Sequence, residues 1–323
     1  MKIGFFTKWY KNSLTSKGNV VGDELWARSL IKYLCKIKNF EADIYTPQEP
    51  PVEKLDVMIY LNEYPPHKEW AVKNIFYFQN ISDSIPEKAC KDFISKNYSF
   101  DAYISFSKIV VEILKEKTNR PVLYLPFAAD TEIFYPRDKK NEYIFEVAYV
   151  GNDIKGTEST LKYIYPAVNF KFGLFGNWQI PKYRFKFWKN FKKLPPYKKE
   201  FAKLSKGKIP QEELPYLYSS SKIILNCTAP NAINWDIITL RTYEVLACGG
   251  FLISDETPLA LKELSDCIVF TKGDDDLIQK ISYYLENEEE RQKFAKKGYE
   301  YVKQKGNVTS RAYDLIEFLE NNL

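Results

Sequence analysis

Histidine is nearly missing from this chain: His67, in "YPPHKEW", is its single imidazole. That scarcity leaves little support for a histidine-dependent catalytic triad or a multi-histidine metal centre. Cysteine is sparse as well. Cys35, Cys90, Cys227, Cys248 and Cys267 are odd in number, widely spaced and set in apolar runs. They match neither a disulfide framework nor a zinc spacing, and they suit buried free thiols in a reducing compartment. No apolar run reaches the roughly 20 residues of a membrane span, and Met1 leads into "KIGFF" without the features of a secretory leader. The expected location is therefore cytoplasmic. Charge of one sign is lacking too: 47 basic against 42 acidic side chains leave a net +5. A protein that coats nucleic acid would be far more lopsided, so nucleic acid is not an expected partner and any basic patch must be local.

What the chain does contain is apolar sequence, 45% of 323 residues, enough to fill two cores. Short strand-like runs alternate with helical patterns, which predicts parallel sheets covered by helices. In the first half these runs are "KIGFFT", "ADIYT", "DVMIYL", "NIFYFQ", "AYISF" and "VLYLP". A loop bearing Gly18 and Gly22 follows the first. "LPFAADTEIFYPRDKKNE" then interrupts the rhythm with two prolines and a charge run, placing a boundary near residue 138. The second half repeats the alternation with "YIFEVAYVG", "FKFGLFG", "SKIILNC", "GGFLISD" and "CIVFT". The three carboxylates Asp274, Asp275 and Asp276 stand just ahead of a helical pattern, where they act as caps rather than metal ligands.

The stretch "NWDIITLRTYEVLACGGFLISD", residues 234–255, is the sharpest functional signal. A helix is predicted to start around Thr239 to Arg241 and to end before Gly249 and Gly250. Arg241 and Glu244 are three apart and so share a face near its N-terminal end. An exposed ion pair would have that spacing, but the surroundings are apolar. A cation, a carboxylate and a helix N-terminus together suit a diphosphate ester linked to a ribose. The arginine and the free amides would take the phosphates, and the carboxylate would accept from vicinal hydroxyls.

"LRTYEVLACGG" resembles the signature of group 1 glycosyltransferases of the GT-B fold, most closely the branch similar to spore-maturation glycosyltransferases, whose pattern is "lRtfEalacGg". The resemblance implies two Rossmann-like domains whose parallel sheets face each other across an interdomain cleft. It divides the chain into an acceptor-side domain over 1–138, a nucleotide-sugar-binding domain over 139–305, and a last helix, 306–323, crossing back to the first domain. The family has two acids separated by seven residues; Glu244 is the second here, and Asp236 holds the first position with a shorter side chain. The resemblance assigns Asp236 to the donor sugar, Glu244 to the ribose, and the backbone from Ile237 to Leu240 to the diphosphate. Thr239, Leu240 and Thr242 are counted with the donor-binding residues. "VAYVGNDIKGTESTLKYI" is similar to the first strand and phosphate-facing loop of the second domain. It contributes Gly151 and Lys155, with Asn152 where relatives often have arginine. "GKIPQEELPYLYSSSKIILN" resembles the segment where backbone around Ile209 meets the nucleobase.

In the first half, Asp23 is the candidate for orienting an acceptor hydroxyl, with a helix N-cap as its alternative role. Where many relatives place a histidine, "FYFQNISDS" offers Gln79 and Asn80; a retaining enzyme tolerates this, and an inverting one would need Asp23 or Asp83 as base. The reaction so implied is transfer of a sugar from a nucleotide diphosphate sugar, UDP favoured and GDP the alternative, to a hydroxyl on a glycan, lipid or protein. Neither metal nor further cofactor is required. A nucleotide-sugar epimerase of the same fold and a non-catalytic sugar-nucleotide or glycan binder are the rivals. The stretch 181–203, "PKYRFKFWKNFKKLPPYKKEFAK", interleaves basic and aromatic residues and is read either as a solvated helix with an aromatic core face or as a contact for an anionic membrane or acceptor.

Overall fold

The computed structural model describes residues 1–11, 22–180 and 194–322. Two compact units divide them: residues 1–130, 231–238 and 305–323 form the first, and residues 131–230 and 239–304 the second. The segment Asn231–Ile238 thus groups with the first unit although it lies within the 139–305 span set by resemblance.

The first unit is built from β1 (Lys2–Phe6), α1 (Gly22–Lys38), β2 (Glu41–Tyr45), β3 (Leu55–Tyr60), β4 (Ala71–Phe78), α2 (Pro86–Ile94), β5 (Ala102–Ser105), α3 (Lys108–Lys117) and β6 (Val122–Tyr124). All its strands pair in parallel, in the order β2-β1-β3-β4-β5-β6. Strands buried on both faces need continuous apolar runs, and "MIYL" and "IFYF" supply them. Parallel neighbours are usually joined by a helix, but β3 and β4 are joined by a loop. There a ring stack replaces the helix: His67 lies 3.9 Å from Trp70 and 5.6 Å from Tyr64, and Trp70 and Tyr64 cover Phe6. His67 Nδ1 meets Glu69 at 2.6 Å. The lone histidine is therefore a packing element of a half-buried loop.

The second unit contains β7 (Val147–Val150), α4 (Thr157–Tyr163), β8 (Phe172–Phe175), α5 (Lys198–Leu204), α6 (Leu214–Ser220) and β9 (Ile223–Asn226). The chain then passes through α7 (Pro230–Asn234) to α8 (Leu240–Ala247), β10 (Leu252–Asp255), α9 (Pro258–Leu264), β11 (Val269–Thr271), α10 (Asp274–Glu286) and α11 (Glu288–Gln304). Its strand order is β11-β10-β9-β7-β8, again parallel throughout. Both sheets therefore reverse direction between their first and third strands, β1/β3 and β7/β9. In open parallel sheets the crevice beyond the carboxyl ends of such a pair is where ligands bind.

Local chemistry explains the ends of these elements. Gly249, at φ 65°, and Gly250 close α8, with the Gly250 amide on the Val245 carbonyl. Gly298 of α11 lets that helix lie on α8, since a Cβ there would stand 2.5 Å from Leu246. Asp276 caps the start of α10. Burial alone would raise its pKa, but bonds from Lys280, the Lys272 amide and the Thr271 hydroxyl bring it down to about 2. The last helix, α12 (Val308–Asn322), belongs to the first unit and packs on α1.

Of the basic aromatic stretch, 181–193 lies outside the described residues. In the remainder Tyr197 and Phe201 are buried in an aromatic cluster with Trp178, and Lys198 pairs with Asp153. Tyr197, Lys198 and Phe201 are thus core rather than a surface for a partner. Gly18 also lies outside the described residues. Among those described, no helix is long and apolar enough to cross a membrane.

Candidate functional site

At the β7/β9 crossover of the second unit, two loops are locked together backbone to backbone. The Gly151 amide bonds to the Phe175 carbonyl at 2.9 Å. Gly176 has φ 125°, and a Cβ on it would stand 2.0 Å from the Gly151 carbonyl oxygen. The loop after β7 is pinned further by Asn152, which accepts from the Asn177 amide at 2.9 Å, and by Asp153, which accepts from Tyr197 Oη at 2.8 Å. Asn152, standing where relatives have arginine, is thus a loop clasp. Lys155 is the exception in this loop: among the described residues it has neither hydrogen bond nor ion pair. Burial lowers its pKa, and the neighbouring Arg241 lowers it further.

Arg241 is held from below. Its Nη1 reaches Asn226 Oδ1 at 3.5 Å, its guanidinium lies 5.5 Å from the Tyr149 ring, and its Nε is buried without a hydrogen-bond partner. The Tyr149 hydroxyl beside it is likewise buried and unpartnered. Asn226 ends β9 and is itself fixed, donating to Ser254 Oγ at 3.0 Å. Ser254 donates to Asp255, which also takes the Thr228 amide and hydroxyl at 2.9 Å. Burial raises the Asp255 pKa, and those donors work against it.

Glu244 and Arg241 share a face of α8, yet they form no ion pair among the described residues. The Glu244 carboxyl is pushed up to about 7 by burial, against the pull of Arg241 and of a bond from Tyr218. An exposed i,i+3 pair is therefore excluded for these two side chains. At the start of α8, Thr239 occupies the N-cap position, but its hydroxyl is spent on Asn226 Oδ1 and Thr242 Oγ1, both at 3.2 Å. The Leu240 and Arg241 amides have no acceptor among the described residues. Two lone cations and two open amides thus gather at one sheet end, an arrangement that attracts a multivalent anion. Thr242 is buried and supports the cap. Ile209 follows Gly207, whose carbonyl accepts from the Gly176 amide at 2.8 Å, and neither backbone group of Ile209 is bonded among the described residues. Sequence reasoning missed Asn226, Asp255, Tyr149 and Tyr218; the two strand-end polar residues were its available clue.

The corresponding crossover of the first unit, β1/β3, holds Asp23. One carboxylate oxygen accepts from Asn62 Nδ2 at 2.6 Å and Asn80 Nδ2 at 3.4 Å. Burial raises its pKa, and the two amides oppose the rise. Asp83 is engaged elsewhere, with Lys88 at 2.6 Å and the Ile85 amide at 3.0 Å. Asp236 lies in the segment Asn231–Ile238 at φ 49°, a left-handed turn. That segment is anchored by Trp235, whose indole donates to the Asp83 carbonyl at 2.9 Å and whose own carbonyl accepts from Ser107 Oγ at 2.6 Å. Among the described residues no group of three acidic, histidine or cysteine side chains is placed to hold a metal ion.

Residues 163–317 match the family model described as "Glycosyl transferase-like". No curated protein matches the chain by sequence. Similar solved structures include the sucrose-phosphate synthase of Thermosynechococcus elongatus, at 13% identity and TM-score 0.67, covering 99% of this chain and 98% of that one. Anabaena HepE, solved with UDP and glucose, aligns at 12% identity and TM-score 0.65 over 99% of this chain and all of that one. The T4 phage β-glucosyltransferase with UDP-glucose aligns at 16% and 0.64 over 100% and 99%, and the same enzyme is among the similar structures with UDP and Mn2+. Two Rossmann-like parallel sheets, both reversing between first and third strands, and the likeness to these solved structures mean that this chain has the GT-B fold, within which residues 163–317 are similar to the glycosyl transferase-like family.

Proposed function

We propose that the protein transfers a glycosyl group, hexosyl or related, from a UDP-sugar to a hydroxyl acceptor. The observation that carries this reading is the nearness of Lys155 to Arg241, two half-buried cations at the β7/β9 crossover that form no ion pair among the described residues. Cations so placed repel each other until an anion arrives, and a diphosphate is the anion that fits beside the open amides of Leu240 and Arg241. Glu244 then accepts from the ribose hydroxyls, the unbonded backbone of Ile209 meets the base, Gly151 allows close approach of the loop, and Asp236 meets the donor sugar. The acceptor oxygen attacks the anomeric carbon from the same face that the diphosphate leaves, as that carbon's bond to the diphosphate breaks, and the departing phosphate oxygen takes the acceptor's proton. That course retains configuration and asks for no imidazole. Lys155 and Arg241 supply the field that a divalent cation would otherwise provide, so metal is not required. Five free thiols fit a cytoplasmic setting, with 181–193 as a contact for an anionic membrane face.

The test is thermal stabilisation by UDP, GDP, ADP, dTDP and CMP with and without chelator, followed by incubation with UDP-sugars. A ligand that binds only the folded state contributes about 2.7 kcal/mol at a hundredfold excess over its Kd. UDP should give the largest shift, unaffected by chelator, and UDP should be released when an acceptor is present. A larger GDP shift would move the donor assignment to GDP-sugars. Loss of the UDP shift on chelation would refute metal independence, and turnover to an epimerised sugar, or binding without turnover, would refute transfer.

A further inference from the structure

At the first unit's crossover, two large aromatic side chains stand in the open beside the Asp23 cluster. Trp9 is 48% exposed and Tyr10 53%, directly after the β1 strand end. The backbone of Trp9 is linked to the carboxylate through a chain of hydrogen bonds. The Trp9 amide donates to Thr7 Oγ1 at 3.3 Å, and Thr7 Oγ1 donates to Asn62 Oδ1 at 3.0 Å. The Lys8 amide donates to the same Asn62 oxygen at 3.0 Å, while Asn62 Nδ2 holds one oxygen of Asp23. Asn80 is fixed on the Leu61 carbonyl at 2.9 Å and leans on the same Asp23 oxygen. Both amide donors thus fall on Oδ2, and among the described residues no donor is placed on Oδ1. Lys8 Nζ sits 4.9 Å from the centre of the Trp9 ring, steadying it.

Exposed aromatics beside a preset carboxylate and amides offer a ligand an apolar face and polar partners at once. We infer that this face binds a saccharide acceptor, its ring resting on Trp9 and one hydroxyl donating to Asp23 Oδ1. A sugar ring has an apolar C–H face for the indole and hydroxyls at its edge for the carboxylate and amides; an acyl chain would leave the Asp23 cluster unused. The inference rests on the transferase reading and names its acceptor class. Asn62 is a positioning residue, acting through Asp23 and the Trp9 backbone.

The experiment offers the full chain, saturated with UDP, to an array of neutral and acidic oligosaccharides, to phosphatidylcholine vesicles with and without phosphatidylglycerol, and to unfolded casein. Wild type, Trp9→Ala, Trp9→Phe and Asp23→Asn are compared, each with its melting temperature and UDP-induced shift. Saccharide binding that falls about tenfold or more in Trp9→Ala, recovers largely in Trp9→Phe and weakens in Asp23→Asn, with the UDP shift the same in all four, supports the inference. No saccharide binding, binding untouched by Trp9→Ala, or capture only by vesicles or casein overturns it and leaves the donor reading standing. A wild type that UDP fails to stabilise overturns the donor reading and this inference with it.

Discussion

Glu244→Gln tests the donor site through acidity, because the site holds this carboxyl at about 7, well above its ordinary 4.5. The carboxyl faces Arg241 and Tyr218, with the Cys248 thiol nearby. Its folded pKa is raised, so the native state keeps a proton that the unfolded chain gives up. The contribution to stability is therefore intact below about pH 4.5 and is lost as pH rises through about 7. The loss by pH 8 is on the order of 2 to 3 kcal/mol, and less in so far as water reaches the group. Glutamine carries no such proton. The unliganded variant should match wild type near pH 5 and melt several degrees higher by pH 8.

Ligand affinity should move the other way. If the ionised carboxylate accepts the ribose hydroxyls, about a tenth of the protein is competent at pH 6 and about nine-tenths at pH 8. Wild-type affinity for UDP-glucose, whose diphosphate diester does not titrate in this window, should therefore rise about tenfold, and calorimetry near pH 6.5 should detect proton release on binding. Glu244→Gln should bind about 1 to 3 kcal/mol more weakly at pH 8 and show a flat profile. Parallel pH profiles for the two proteins, in melting and in affinity alike, would refute both the burial argument and the ribose assignment.

Arg241→Ala should weaken UDP binding far more than uridine binding, measured side by side by calorimetry. Lys155→Ala should act likewise but less, and Arg241→Lys should be costly because a point charge cannot replace the fork. Asp236→Asn should spare UDP affinity and depress turnover, and since asparagine tolerates φ 49° the melting temperature should hold; equal losses in binding and turnover would misplace this acid. Gly176→Ala should yield little folded protein, because its Cβ would strike the Gly151 carbonyl, whereas Gly156→Ala, at φ 85° and ψ 160° but facing open space, should cost about 1 to 3 kcal/mol in denaturant melts.

The eleven strands among the described residues were legible because most are short, nearly continuous apolar runs, which strands buried on both faces require; the edge strand β2 is the more polar exception. Helix α8 was legible as a site candidate because Arg241 and Glu244 interrupt such a run, but their relation was not. Spacing alone suggests an ion pair between them, yet among the described residues they form none, and the carboxyl's burial outweighs the pull of Arg241. Asn226 and Asp255 were illegible for a related reason: a lone polar residue at the end of an apolar run reads as the end of a strand. Its work as the support of Arg241 depends on β9 and β10 lying side by side, a pairing between residues 28 apart at Asn226 and Ser254.

Least legible was the segment 231–238. Its length and composition fit a loop of the second half, yet Trp235 finds Asp83 and Ser107, more than a hundred residues earlier, and stacks on Phe106. A fully buried tryptophan that satisfies its indole donor fixes its neighbours strongly. The left-handed turn at Asp236 is the next residue, so the acid is set by packing within the first unit, while Glu244, eight residues on, is set by packing within the second. Asp236 and Glu244 are thus held by separate cores. Cutting Trp235 to alanine should therefore impair what depends on Asp236, turnover, before what depends on Glu244, UDP affinity. A fall of both in step, in protein that remains folded, would show that one core governs both.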